Sequence, residues 1–425
     1  MKIKKSKYNY VIAINDECIL FNTRTLSIVG LDEAEKNRYM QICDGEECDD
    51  EFYQELYKVG VLIDWNLDER KILKHRLQKS RYSKEELCIT IAPTLGCNFA
   101  CPYCYQRQGE VKNSDLMDEK TQQALINFIK AKLSGDCKKL SVLWYGGEPL
   151  LGFKIIRKVS WKLMEMCEKL NVTYEASMIT NGYLLDKFSP QEFREMNINE
   201  MQITLDGGKD EHDKRRVLKS NEGTFEKIVK NIQLYSKFIS ISVRVNVDRE
   251  NEKGIYKLVE EFSNRNINNV SLYVAPVTNN ENPDDIKCFK SQEFSNIFNK
   301  FEQKMQAKGM KENRSNITGC AHYCDADFVN AYVIDNVGNI YKCWSDIGNS
   351  SYCVGNILSG KQKNPHVYYE YMAYDPTEDE KCMDCEILPL CMGGCPYNRV
   401  NNIDRCSIYK YLLEDIIIRK YSEKI

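Results

Sequence analysis

The chain has no surplus of charge of either sign. Its 59 lysines and arginines stand against 62 aspartates and glutamates, a formal net charge of −3. A partner for nucleic acid or an acidic membrane surface usually carries a basic excess, so neither is expected here. No apolar stretch reaches the roughly 18 residues that a membrane span needs. Met1-Lys2-Ile3-Lys4-Lys5 opens like a signal peptide, but Asn15, Asp16 and Glu17 break the apolar run behind it before a secretory core forms. There is no internal repeat and no low-complexity tract. The expectation is a cytoplasmic globular protein with no membrane and no nucleic acid among its partners.

What is abundant is cysteine, nineteen in 425 residues, in a chain that is 43% hydrophobic and long enough for about three domains of ~150 residues. A disulfide framework suits small secreted domains, and this chain is neither small nor marked for export. In a reducing compartment, clustered cysteines read as metal ligands.

Residues 1–82 read as a small mixed domain. Runs at 8–14 and 18–21 form a strand pair around an Asn15-Asp16 turn. Asp32-Glu33-Ala34-Glu35 opens a helix with an acidic first turn. A second helix covers about 50–59 and ends at Gly60. Val61-Leu62-Ile63 offers a third strand, and 67–77 a charged helix leading out. Strands backed by short helices suggest a winged-helix-like module with an exposed sheet edge. Residues 84–280 alternate apolar runs (87–92, 140–145, 173–179, 201–205, 239–247, 270–275) with amphipathic helices such as 118–133, 153–170, 224–235 and 253–264. Six β/α units in a row predict an α/β fold, a parallel sheet curled by right-handed crossovers into a partial (β/α)6 barrel. Sites in such sheets sit at the C-terminal ends of strands. Residues 281–311 are a bridge, with a loop at 279–285 and a helix near 292–308. Residues 312–425 hold many cysteines, a hairpin of 329–334 and 339–343 turning at Asn336-Val337-Gly338, and a closing helix near 408–421.

Cys97-Asn98-Phe99-Ala100-Cys101-Pro102-Tyr103-Cys104 follows the first barrel strand. Three thiols are one short of the four that close a structural zinc or iron–sulfur site. Either a distant residue completes a zinc knuckle, or one coordination position stays open for something that reacts. The spacing C-x3-C-x-aromatic-C resembles the signature of the radical S-adenosylmethionine (SAM) enzymes, with Tyr103 as the aromatic. Gly146-Gly147-Glu148-Pro149, at the end of the second strand, strengthens the resemblance. It implies a [4Fe–4S] cluster on Cys97, Cys101 and Cys104 with SAM at the fourth iron. Glycines at 146 and 147 would let backbone carbonyls approach the SAM ammonium with no Cβ in the way. The same resemblance sets Tyr103 against the adenine and Asn181 and Thr204 near SAM. It sets Arg216, in His212-Asp213-Lys214-Arg215-Arg216, on the SAM carboxylate, which a fork-shaped guanidinium suits. The implied chemistry is reductive cleavage of SAM to a 5′-deoxyadenosyl radical that takes hydrogen from an unactivated C–H bond, fed by a donor such as flavodoxin or ferredoxin.

The C-terminal cysteines run Cys324-x13-Gly338-x4-Cys343, then Cys382-x2-Cys385-x5-Cys391-x3-Cys395, then Cys406. This spacing resembles the SPASM iron–sulfur extension of radical SAM enzymes, and Cys320 adds an eighth thiol. Eight thiolates make two further cubane clusters, three in all. By resemblance, auxiliary cluster I takes Cys320, Cys324, Cys343 and Cys395, and auxiliary cluster II takes Cys382, Cys385, Cys391 and Cys406. Paired zinc ribbons are the alternative, since C-x2-C is also a zinc spacing. Cys353 is a spare that can replace Cys320. Cys18, Cys43, Cys48, Cys88, Cys137, Cys167 and Cys288 are scattered and read as free thiols.

The SPASM group includes anaerobic sulfatase-maturating enzymes and maturases of ribosomally made peptides. The sulfatase branch carries an Asp after the cysteine matching Cys343 and a Gln before its Gly-Gly-Glu-Pro; here Trp344 and Tyr145 stand there. Asp346 is the remaining candidate catalytic base. In peptide maturases a winged-helix-like domain binds the leader segment of the precursor, and an extended peptide can add a strand to an exposed edge. The expected function is crosslinking of a precursor peptide that has a leader segment, by a thioether between a cysteine sulfur and a carbon. A carbon–carbon crosslink and sulfatase maturation come next. A non-catalytic iron–sulfur protein that carries electrons or binds peptide is the reading from another class.

Overall fold

The computed structural model describes residues 2–14, 17–44, 50–104, 106, 115–133, 135–278, 287–310 and 317–422. The turn expected at Asn15-Asp16, Cys48 and the loop at 279–285 lie outside the described residues. Two compact units emerge. One joins Met1–Tyr82, Arg314–Cys324 and Ala373–Ile425; the other joins Ser83–Asn313 and Asp325–Met372.

In the first unit, β1 (Ile3–Lys5), β2 (Asn9–Ile14), β3 (Glu17–Asn22) and β4 (Ile28–Leu31) are followed by two helices, β5 (Leu62–Asp64) and a third helix. β2 and β3 form the expected antiparallel pair, and β4 adds to the far side of β3. The strand read at 61–63 does not join this sheet. It pairs antiparallel with β1, because Gly60, at φ +82°, redirects the chain as it leaves the second helix. Helices Glu33–Cys43, Glu51–Lys58 and Glu69–Arg81 each start on an aspartate, Asp32, Asp50 and Asp68, whose carboxylate accepts a first-turn N–H. Tyr39, Ile42, Tyr53 and Leu56 on the first two helices close a core over Cys18, Leu20 and Leu31. The C-terminal segment is part of the same unit. Leu388 and Met392 pack with Tyr8, Leu73 and Leu77. Lys7 Nζ donates to the Met383 carbonyl (2.6 Å) and Thr23 Oγ1 to the Glu386 carbonyl (2.5 Å). The N-terminal module thus grips the loop that carries Cys382 and Cys385.

The second unit is built on one sheet of β6 (Glu86–Ile91), β7 (Lys139–Trp144), β8 (Thr173–Thr180), β9 (Ile198–Thr204), β10 (Ser240–Val247), β11 (Ser271–Pro276), β12 (Ala331–Ile334), β13 (Asn339–Tyr341) and β14 (Gly355–Asn356). The order is β11-β10-β9-β8-β7-β6-β12-β13-β14. β6 to β11 are parallel neighbours in chain order, the central parallel sheet of the expected α/β fold. The helices supply the crossovers that parallel strands require. Phe153–Leu170 buries Ile155, Ile156, Val159 and Leu163, a 3.6-residue stripe, and ends at Asn171 in the left-handed conformation. Along β7 and β10 every second residue is fully buried, while the alternate face is half-open and polar, with Ser141, Arg244 and Asn246 among its residues. The hairpin expected in the C-terminal region is present as β12 and β13, but it extends the central sheet: β12 lies parallel to β6, Ala331 opposite Cys88. Among the described residues no helix is long and apolar enough to cross a membrane.

Candidate active site

β6 ends at Ile91, and the chain turns through Pro93 into the three-cysteine loop. Three segments hold that loop. From the loop after β7, the Gly147 N–H donates to the Thr94 carbonyl (3.2 Å) and the Glu148 N–H to the Gly96 carbonyl (2.9 Å). From the segment after Arg216, the Val217 carbonyl accepts from Ala100 N–H (2.9 Å) and Lys219 N–H donates to the Asn98 carbonyl (3.1 Å). From the end of β8, Asn181 Nδ2 donates to Asn98 Oδ1 (2.8 Å) and approaches Cys97 Sγ (3.9 Å). Cys101 is buried and Cys97 and Cys104 are half-buried. Cys97 feels both other thiols; burial first, then Glu148, pushes its own thiol up to about 12.

The glycines of the Gly-Gly-Glu-Pro turn have a nearer use than the one expected. A Cβ on Gly146, at φ +123°, would stand 2.2 Å from the Thr94 carbonyl oxygen, and one on Gly147 2.3 Å from that of Gly96. The missing side chains make room for the cysteine loop itself. Glu148 is a brace: fully buried, it accepts from Leu150 N–H (3.0 Å), Thr180 Oγ1 (2.7 Å) and Asn181 N–H (2.8 Å). Burial raises its pKa, and those donors pull it back.

Adjacent arginines have opposite fates. Arg215 is locked, bidentate to Asp248 (2.7 and 3.0 Å) with Nε on Asp206 (3.3 Å). Arg216, equally buried, donates through Nη1 to the Tyr103 hydroxyl (2.7 Å), and its Nε has no partner. Asn246 Nδ2 also reaches that hydroxyl (3.4 Å). Thr204 is buried at the end of β9, opposite Arg244. Behind Arg216, His212 Nδ1 accepts the Asp206 N–H (3.3 Å) and Nε2 donates to Thr224 Oγ1 (2.9 Å), which donates to the Arg216 carbonyl (2.6 Å). Burial, reinforced by Arg216, keeps His212 neutral. The sequence names Arg216 only by its place in a motif; His212, Thr224 and the Asp206–Arg215–Asp248 lock were not singled out, since their partners are distant in the chain.

Asp346 lies in a short turn after Cys343, two residues beyond Trp344. Its Oδ2 accepts from the Tyr371 hydroxyl (2.9 Å), and its Oδ1 is buried with no partner. Burial pushes its pKa up to about 7, against the pull of Tyr371 and the Cys343 backbone. The turn sits beside the base of the cysteine loop, where Ile347 and Cys353 pack with Ala92 and Leu95. Trp344 is 43% exposed, its ring 6.0 Å from that of Tyr145. Cys353 is buried and donates to the Gly355 carbonyl (3.1 Å).

In the first unit, Cys382, Cys385, Cys391 and Cys406 line one cavity of about 870 Å³. Cys391 feels the charge of the other three. These are the four thiols that the resemblance groups together. Cys320, Cys324 and Cys395 belong to this unit and Cys343 to the other, so the first auxiliary set rests on the family resemblance alone. Among the described residues no three His, Cys, Asp or Glu side chains are arranged around a single metal ion; a cubane spaces its sulfurs around a core of irons.

A family model described as the Radical SAM superfamily matches residues 91–262, from the end of β6 into the helix Ile255–Asn264. Those residues form a Radical SAM domain, and the protein is a radical SAM enzyme, a class that implies a [4Fe–4S] cluster and SAM. Over 347 residues it is 24% identical to a cysteine-type anaerobic sulfatase-maturating enzyme of Clostridium novyi (strain NT), covering 75% of this chain and 90% of that protein. Native anSMEcpe with bound AdoMet shares the fold at a TM-score of 0.60 and 18% identity, over 79% of this chain and 100% of the other. Streptococcus suis SuiB bound to precursor peptide SuiA does so at 0.54 and 16%, over 96% of this chain and 99% of the other.

Proposed function

We propose that the protein crosslinks a ribosomally made precursor peptide, forming a thioether between a cysteine sulfur and a carbon of another residue. The observation that supports the peptide-substrate part of this reading is the extent of the SuiB likeness. It runs over 96% of the chain, so it takes in the N-terminal module, and SuiB is a protein that binds a precursor peptide. β2, an outer strand of that module's sheet, pairs among the described residues only with β3 and exposes Val11 (56%). Such an edge can accept a leader segment as an added strand.

Cys97, Cys101 and Cys104 would hold the cluster that, with SAM, supplies the hydrogen-abstracting radical. Asn181 and the turn at 146–148 orient that loop. Arg216 offers its unpartnered Nε to the SAM carboxylate beside Tyr103, and Thr204 closes the strand-end rim. Asp346 holds a buried oxygen ready to take the thiol proton. Per bond, one hydrogen atom leaves carbon, one proton leaves sulfur, and one electron must find an acceptor. The C-terminal thiols, as two further [4Fe–4S] sites, are the candidates to hold that acceptor.

Sulfatase maturation is the second reading, favoured by the alignment that spans 90% of the Clostridium novyi relative. Reconstituted full-length enzyme, SAM and a strong reductant distinguish the two. With a cysteine-containing peptide encoded beside this gene, the expected products are 5′-deoxyadenosine and a peptide lighter by two hydrogens, whose fragments stay joined at a thioether. Oxidation of a lone cysteine in a sulfatase-derived peptide, with no joined fragments from the precursor, overturns the crosslinking reading in favour of the second.

A further inference from the structure

The cavity of the C-terminal thiols is built unevenly around one of its sulfurs. Cys382 Sγ is approached by the Tyr374 hydroxyl (3.6 Å) and by Arg405 Nη2 (3.9 Å). Once Cys382 is a metal-bound thiolate it has no proton to give, so both neighbours are donors. Neither is there by chance of surface placement. Arg405 is anchored by Asp379 (2.8 Å). The Tyr374 ring is stacked under the Arg399 guanidinium, 3.9 Å from its centroid, with that of Arg405 at 5.5 Å.

Two consecutive glycines make this approach possible. A Cβ on Gly393 would stand 2.7 Å from the Tyr374 ring, and one on Gly394 1.8 Å from the Arg405 carbonyl oxygen. Both residues have positive φ, +90° and +75°, so the chain between Cys391 and Cys395 bends where only glycine bends cheaply. That bend lets the ring and the arginine reach Cys382.

Hydrogen bonds donated to a cluster's sulfurs stabilise the more negative, reduced form and so raise the reduction potential. The charge of Arg405 is offset by Asp379, which also lies against Cys382, so the two donated hydrogen bonds carry the effect. We propose that Arg405 and Tyr374 are positioning residues that raise the potential of the [4Fe–4S] cluster held by Cys382, Cys385, Cys391 and Cys406, making this site a better electron acceptor than its four thiolates alone would make it. The proposal rests on the reading of those four thiols as a cluster site.

The test is a redox titration of the reconstituted full chain, followed by electron paramagnetic resonance, with iron and sulfide counted in every sample. The Cys382→Ala protein identifies the signal of this site by its loss. Tyr374→Phe, which removes one oxygen, and Arg405→Gln are expected to move that signal's midpoint downward, with Arg405→Lys recovering part of the shift and the other signals unmoved. Full iron content with an unchanged midpoint in both Tyr374→Phe and Arg405→Gln overturns the proposal. If Arg405→Gln loses iron, Tyr374→Phe alone decides. No loss of iron or signal in Cys382→Ala overturns the cluster reading beneath it, a failure visible before any potential is compared.

Discussion

Arg216 holds the Tyr103 hydroxyl at 2.7 Å with one nitrogen while its Nε, buried beside it, has no partner. Arg215, the residue before it, commits its guanidinium to Asp248 and Asp206, with Glu250 at 3.7 Å. One arginine is structural and its neighbour is available to a ligand. Arg216→Lys keeps the charge and loses the fork. A charge-assisted hydrogen bond contributes about 1.5–3 kcal/mol, so SAM affinity should fall by roughly ten- to a hundred-fold in equilibrium binding to the reconstituted enzyme. Tyr103→Phe should cost less. An unchanged affinity in Arg216→Lys would remove Arg216 from the SAM site.

Gly147→Ala should damage the cysteine loop. The added carbon meets the backbone carbonyls of Gly96 and Leu95 at 2.3 and 2.5 Å, and backbone cannot step aside as a flexible side chain can. Overpacking of this kind costs about 1–3 kcal/mol. The purified variant should retain less iron and form little 5′-deoxyadenosine. Gly135→Ala, where nothing lies within 4 Å, is the matched control and should behave as wild type.

Asp346 gives two pH signatures. Its carboxyl, raised to about 7 by burial, accepts a proton only when ionised, so peptide modification should climb as pH rises through about 7. Asp346→Asn should lose modification and keep SAM cleavage. For stability the sign is opposite. Between an unfolded-state value of about 3.9 and the folded value, the native state holds a proton that the unfolded chain has released. Stability therefore falls as pH rises across that window. Denaturant midpoints from pH 4 to 7 should show the fall in the wild type and a flatter line in the Asn variant.

Glu69 tests the N-terminal module. Buried, it accepts from Ser6 Oγ (2.7 Å), Lys7 N–H (2.8 Å) and Arg24 Nε (2.8 Å). Glu69→Ala strands those donors and should destabilise the module by about 3 kcal/mol, the scale for breaking a buried pair. Because Lys7 and Thr23 hold the loop around Cys382, the same variant should lose iron from the C-terminal region. A lower melting temperature with full iron content would separate the module from the metal site.

Much of this was legible because it is local. The helix read at 153–170 begins and ends there, since its apolar stripe and the asparagine after it are adjacent signals. Cys382, Cys385, Cys391 and Cys406 were grouped by the family resemblance of the cysteine pattern, and one cavity is lined by all four. What stayed hidden depends on residues far apart in the chain. Nothing near Arg215 and Arg216 tells them apart, because Asp206 and Asp248 decide it. The Gly146-Gly147 pair was visible as a motif, but not that its empty space belongs to Thr94 and Gly96. The pairing of β5 with β1, and of β12 with β6, leaves no mark in either segment's own pattern.

The last of those pairings has a consequence for how the protein is made. β6 is the first strand of the central sheet to leave the ribosome, yet one of its two neighbours, β12, begins only at Ala331. At translation speeds of about 5–20 residues per second, the outer side of β6 waits on the order of ten to fifty seconds with its N–H and C=O groups unmatched. During that interval a bare strand edge invites another nascent chain. A gene fragment cut after the superfamily match at residue 262 makes the wait permanent. Such a fragment, complete in every recognised motif of its domain, should form inclusion bodies, and extending it through β13 should return it to solution.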